Sequence, residues 1–233
     1  MTEFFTLAFQ LIIEGDRGLW EVVIRSLYVS LSAVVFASLI AIPLGALLAT
    51  KRFWGREALI IFINALMGLP PVVVGLGIYL LLSRSGPFGV FGLLYTPTAM
   101  IIAQTVLITP IITALTRQTI EHLAREYDQQ LTLFGFGAFA RARILVVDSR
   151  FALMTAILAG LGRAMAEVGA VIIVGGNIDH FTRVMTTSIT LETSRGNLAL
   201  ALALGMLLIL LTIIINALVI LMRMIGERRY GHV

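Results

Sequence analysis

The chain has no cysteine, one lysine and three histidines. The first absence removes disulfides, thiol chemistry and thiolate metal ligands. Three scattered histidines make no histidine-rich metal cluster, and no cofactor is expected. A phosphate-cradling P-loop ends in Gly-Lys-Ser/Thr, with the lysine on the β- and γ-phosphates. Lys51 is preceded by Thr50 and followed by Arg52, so no P-loop can form. The chain is not expected to be an enzyme, and any work driven by ATP must come from another polypeptide.

Charge is scarce as well. Only 13% of residues are charged and 59% are hydrophobic, where a soluble domain has about 25% and about 45–50%. The mean hydropathy is +0.99. There is too little polar surface to coat a water-soluble body of 233 residues. The pI near 10.0 comes from basic residues spread among apolar runs, the pattern of cytoplasmic membrane loops. The partner implied is membrane lipid, and nucleic acid is not expected. The N-terminus lacks the basic start and small-residue cleavage site of a signal peptide, having Glu3 instead. Residues 4–13 read as a short helix at the interface or against the bundle, since a spanning helix needs about 20 residues.

Five apolar runs follow, at about Ser26–Thr50, Ala58–Ser83, Pro97–Leu115, Ala152–Val174 and Leu198–Met222. The first, at about 1.5 Å per residue, reaches about 37 Å and crosses a hydrocarbon core of about 30 Å with tilt. Lys51, Arg52 and Arg56 follow the first run. Arg117, Arg125, Arg141, Arg143 and Arg150 lie between the third and fourth. Arg223, Arg228 and Arg229 follow the fifth, which places eleven of the 17 basic residues in three segments. Five crossings put all three on one side, and the positive-inside rule makes that side cytoplasmic. Residues 84–96 and 175–197 then face outward. A sixth crossing at the N-terminus is the alternative count. No internal repeat or low-complexity linker is evident, so residues 1–233 read as one all-α membrane domain.

The long cytoplasmic connection is about 118–150. Its polar stretch Glu126, Tyr127, Asp128, Gln129, Gln130 runs into Leu131, Leu133, Phe134 and Phe136 and stops at Gly135 and Gly137. Glycine takes the left-handed conformation that ends helices, so two short helices with a turn at Gly135–Gly137 are expected. Apolar residues around such a turn mark a docking site or lie on the chain's own membrane surface.

In the fourth run Arg163 and Glu167 are four residues apart and would share a helix face. Charges at membrane depth cost about 2.5–3.5 kcal/mol each, so they should pair and face protein or water. Their role is either a gate in a pathway or an internal lock. Gly160, Gly162, Ala164, Ala166, Gly169 and Ala170 let helices approach closely. The following stretch is too polar to span. Its Asn177, Arg183, Thr186, Thr187 and Arg195 either line an aqueous vestibule able to hold an oxyanion or form a solvated loop. Pro70 and Pro71 bend the second run, for a pathway or for packing alone. Asn64, Gln104, Thr105 and Thr109 are polar residues that more often bond a neighbouring helix than a substrate.

Residues 118–150 resemble the "EAA" loop of ABC-importer permeases: Glu-Ala-Ala, three residues, Gly, about nine residues, then a hydrophobic-x-Leu-Pro end. With Gly135 as anchor, the first slots fall on Gln129, Gln130 and Leu131 and the last on Val147 and Asp148. Gly135 and its spacing are kept, the Glu and Pro are not, and Glu126 and Asp128 stand near the missing acid. The block GRAMAEVGA from Gly162, the run TRVMTTSITLETSRGN from Thr182 and LPPVVVGLGIYLLLSRSGPFG from Leu69 resemble molybdate/tungstate/sulfate importer permeases, and tungstate permeases in particular. The resemblance implies a type I importer bundle of about five transmembrane helices with a cytoplasmic coupling helix. It implies a homodimer with the pathway at its interface, two ATPase subunits docked on residues 125–145, and an extracytoplasmic binding protein. A permease for molybdate, sulfate or another solute, an ion-coupled secondary transporter and a non-transporting scaffold are the other readings. Secondary transporters would normally show repeats or more intramembrane carboxylates.

Overall fold

Each apolar run is helical, and no strand occurs among the described residues. The computed structural model describes residues 6–7, 10–13, 15, 17–133 and 135–230, without the side chains of 128, 129, 132, 138, 223 and 227–230. Of the expected N-terminal helix, residues 6–7 and 10–13 are helical; residues 4, 5, 8 and 9 lie outside the described residues.

The helices are α1 (Arg17–Thr50), α2 (Arg56–Met67), α3 (Pro71–Leu82), α4 (Pro97–Glu126), α5 (Asp128–Leu133), α6 (Ala138–Asp148), α7 (Arg150–Met165), α8 (Gly169–Gly175), α9 (Met185–Ser194) and α10 (Leu198–Tyr230). Three of them, α1, α4 and α10, are long and apolar enough to cross a membrane. Two broken pairs, α2 with α3 and residues 139–148 with α7, bring the number to five if each pair is one span.

Two expected spans are interrupted rather than continuous. The second run is not a kinked helix: Gly68 ends α2, Pro70 is extended at φ −62°, ψ 125°, and Pro71 opens α3. Proline suits a first helical position because its missing N–H would be unpaired there. The fourth run ends at Met165 and resumes only at Gly169. At its start, Ser149 separates α6 from α7, which meet at a bend of 77°. By contrast, Pro43 and Pro110 sit inside α1 and α4 without ending them.

The chain forms two compact units, one of Met1–Ala33, Pro70–Gln104 and Gly162–Asn216, the other of Val34–Leu69, Thr105–Leu161 and Ala217–Val233. The first has a core of Leu19, Val22, Val23, Met185, Ala203, Leu204 and Leu207. In it α3 lies so close to α8 that a Cβ on Gly75 would stand 2.7 Å from the Ala170 Cα. Small residues allow such approaches between membrane helices.

The second unit holds two apolar clusters. Ala46, Ile120, Leu131 and Leu145 form one, and Leu48, Ile60, Ile63 and Ala114 the other. A Cβ on Gly45 would meet the Thr113 carbonyl oxygen at 2.8 Å, so α1 and α4 also touch through a glycine. Leu39, Ile40, Ile61, Phe62, Ile209 and Ile213 are among many large apolar side chains left exposed. Only 22% of the most apolar window of α10 is buried. Surfaces this apolar are stable against lipid, not water.

Candidate functional site

The break between α7 and α8 carries the two charges of the fourth apolar run, Arg163 and Glu167. Arg163 sits in the last turn of α7 and Glu167 beyond its end, so they are not on one continuous helix face as expected. They pair nonetheless, Nη1 to Oε2 at 3.3 Å, with Glu167 3% and Arg163 35% exposed. The other carboxylate oxygen accepts the Ala170 amide at 3.0 Å. Glu167 therefore occupies an unpaired N–H of α8, as a capping side chain does. Its own carbonyl accepts the Thr186 hydroxyl at 2.8 Å. The Gln104 amide donates to the Ala164 carbonyl at 3.1 Å, fixing the end of α7 to α4 within the same unit.

Gly176 and Asn177 follow α8 with φ of 70° and 49°, a left-handed turn that glycine and asparagine tolerate. Asn177 Oδ1 accepts the Thr187 hydroxyl at 2.9 Å, and Thr187 Oγ1 accepts the Val184 amide at 3.2 Å. Thr187 is wholly buried and Thr186 nearly so. Arg183 pairs with Asp179 at 2.7 Å. These groups, read in the sequence as possible vestibule donors, are bonded inside the unit. Beside the break, the Arg163 side chain is 35% exposed and that of Arg183 15%. Arg195 is paired with buried Glu192 at 3.1 Å. Pro70 is exposed and Pro71 half-buried at the start of α3, the helix packed on α8.

The second candidate site is the turn between α5 and α6. Gly135 has φ 64°, and a Cβ there would meet nothing within 4 Å. Gly137 precedes α6 in extended conformation. Arg141 reaches back across the turn, donating from Nε to the Phe136 carbonyl at 2.9 Å and from Nη2 to the Leu131 carbonyl at 3.2 Å. Leu131 is buried and anchors the turn from inside, whereas Leu133 and Phe139 are more than four-fifths exposed and Phe136 is exposed as well. Glu126 ends α4 with its side chain exposed. Gln130, Tyr127, Phe139, Arg143, Val147 and Asp148 line an open groove of about 730 Å³. The Tyr127 phenol is raised above its ordinary value by its hydrogen bond to Asp148 and by burial. Phe134 lies outside the described residues, as do the side chains of Asp128 and Gln129.

Some supporting residues gave no local signal. The Ser26 hydroxyl accepts the Met185 amide at 2.7 Å across 159 positions. Arg25 donates to the carbonyl of His180 at 2.7 Å, and His180 Nδ1 lies 2.8 Å from Glu21. Only a fold that brings the start of α1 against residues 178–185 discloses them.

Residues 41–229 match the family described as binding-protein-dependent transport system inner membrane component. A probable anion ABC transporter permease protein of Haloferax volcanii is 39% identical over 198 residues, 83% of this chain and 85% of the relative. The tungstate uptake system permease protein TupB of Peptoclostridium acidaminophilum is 36% identical over 219 residues, 94% of this chain and 96% of the relative. A sulfate transport system permease protein CysW of Synechocystis is 26% identical over 225 residues, 94% of this chain and 80% of the relative.

Proposed function

This chain belongs to the family of binding-protein-dependent transport system inner membrane components, a multi-pass integral membrane protein, and from that premise we propose that it is the permease of an ATP-driven importer for an oxyanion, tungstate foremost. The observation that carries the substrate class is similarity to a tungstate permease along 94% of the chain. The relative named only for an anion supports the second reading, the same machine moving molybdate or another oxyanion. Tungstate and molybdate are so alike in size and charge that the delivering binding protein sets most of the choice.

In this reading residues 1–233 act as one permease domain, and two copies form the pathway at their interface. The basic segments 51–56 and 117–150, both in the second unit, face the cytoplasm. Two ATPase subunits press on residues 125–145 of the two copies, against the exposed Leu133, Phe136 and Phe139 and the adjoining groove. The binding protein delivers the anion from the other side. ATP closure rocks the spans and alternates access. The chain does no covalent chemistry.

The pathway group with the best support is Arg163. Its guanidinium is the planar forked donor that suits an oxyanion, and one-third of its side chain is exposed. Glu167 balances that charge and holds the α7–α8 break in shape. Thr186, Thr187, Asn177 and Arg183 position the break and the turn behind it. Uptake of radioactive tungstate by proteoliposomes, with and without the ATPase and binding protein, tests the reading. Uptake requiring both supports it, and uptake driven by an ion gradient without any ATPase overturns it.

A further inference from the structure

A cleft of about 360 Å³ in the second unit is lined by Ala49, Thr50, Arg52, Arg56, Glu121, Ala124, Arg125, Leu131, Arg141 and Leu145. Four arginines thus face one carboxylate. That carboxylate is already shared: Arg117 pairs with it, Arg125 approaches at 3.1 Å and Arg56 at 3.9 Å. Glu57 pairs with Arg56, and arginines still outnumber carboxylates around the cleft. Arg56 is held in place at 15% exposure and donates from Nε to the Leu48 carbonyl at 2.7 Å. Arg52 makes no ion pair among the described residues, and Arg125 is 80% exposed. The arrangement is a fixed floor of guanidinium with two freer arginines at its rim.

Guanidinium groups clustered in this way recognise tetrahedral oxyanions by paired N–H donors. The cleft is wider than a bare inorganic oxyanion needs. It lies where α1 ends at Thr50, and the loop that follows carries exposed Phe53 and fully exposed Trp54. Aromatic residues beside basic ones mark the headgroup level of a bilayer. Basic clefts between spans on the cytoplasmic side bind anionic lipid headgroups.

We propose that the cleft between the α1–α2 loop, α4 and α6 binds the phosphate of an anionic phospholipid headgroup, with Arg52 and Arg125 as its adjustable ligands and Arg56 as its fixed one. The side of the membrane rests on the orientation given above. The headgroup would hold the end of α1 against α4 and α6, next to the turn where the ATPase is proposed to press. Its occupancy would then tune how firmly that turn is seated.

The test uses the complete permease–ATPase complex in nanodiscs of phosphatidylcholine alone or with phosphatidylglycerol, released into native mass spectrometry. Wild type should retain phosphatidylglycerol selectively. Arg52→Gln and Arg125→Gln should each weaken retention about fivefold, as one arginine near an anionic surface contributes, whereas Arg84→Gln, a charge removed elsewhere, should not. Added inorganic phosphate is the second arm. Thermal stabilisation of the delipidated complex by phosphate that is lost in Arg52→Gln, with no preference for phosphatidylglycerol, assigns the cleft to a free oxyanion and overturns the lipid assignment. Equal retention in all variants, or loss of the ATPase from Arg52→Gln with lipid retention unchanged, overturns the site itself. Lipid retention is read without transport, so a failure here is distinct from a failure of the uptake reading.

Discussion

Arg163 and Glu167 pair at 3.3 Å across the break between two helices, not along one helix, and the same carboxylate caps α8 through the Ala170 amide at 3.0 Å. The carboxylate therefore has two separable tasks. Glu167→Gln keeps an oxygen for the Ala170 amide and loses the charge. Glu167→Ala loses both. Losing a cap costs about 0.5–2 kcal/mol, so the alanine variant should melt clearly lower in detergent and the glutamine variant only slightly lower. Tungstate uptake should fall in both. Equal melting temperatures for the two variants would show that the cap contributes nothing.

The contact between α3 and α8 gives a sharper comparison, because two glycines lie two residues apart on the same helix. A methyl on Gly75 would sit 2.7 Å from Ala170 Cα, whereas one on Gly77 would meet nothing within 4 Å. Gly75→Ala forces the helices apart and should destabilise by about 1–3 kcal/mol, as overpacking does. Gly77→Ala should be neutral or slightly stabilising, since alanine is the better helix former. Thermal melting of the two variants side by side checks this.

The sequence disclosed features governed by composition and short spacing. Apolar run length marks five groups, and arginine placement marks one side, because lipid and headgroup act on every residue alike. Gly135 was legible because a helix-ending glycine after a polar run is a local signal. The breaks were less so. Pro70-Pro71 marks a disturbance, but whether it kinks a helix or starts one depends on Gly68 ending α2. The end of α7 at Met165 has no proline at all and rests on Glu167 and Thr186 bonding across 19 positions. Hydroxyls that look available in the sequence, such as Thr187, are consumed by partners that only the fold brings near.

The turn at Gly135 can be dissected by side chain. With φ 64° and open space around its Cβ position, it tolerates asparagine, which enters the left-handed region readily. Gly135→Asn should insert and keep its ATPase. Gly135→Trp adds bulk and strain at the surface proposed for docking, and should insert normally but lose the ATPase in pull-down. ATPase recovery at the wild-type level by the tryptophan variant would move the docking site elsewhere.

The contact between His180 and Glu21 should make the loop before α9 sensitive to pH. The hydrogen bond to Glu21, together with the charges of Asp179 and Glu21, raises the His180 imidazole above its ordinary value of 6.5, while desolvation and Arg25 oppose the shift. A raised value means the folded loop favours the protonated ring. The contribution is complete below the unfolded value and disappears as pH rises through the raised one. Arg25 also holds the His180 carbonyl, so the loop stays attached when the ring is neutral and only its side-chain tie is released. A spin label at exposed Ile178 should therefore gain mobility as pH rises past this range. In Glu21→Gln the step should shrink and move down toward the ordinary histidine range, because the ring loses its charged partner. An unchanged step in that variant would show that Asp179, not Glu21, governs the titration.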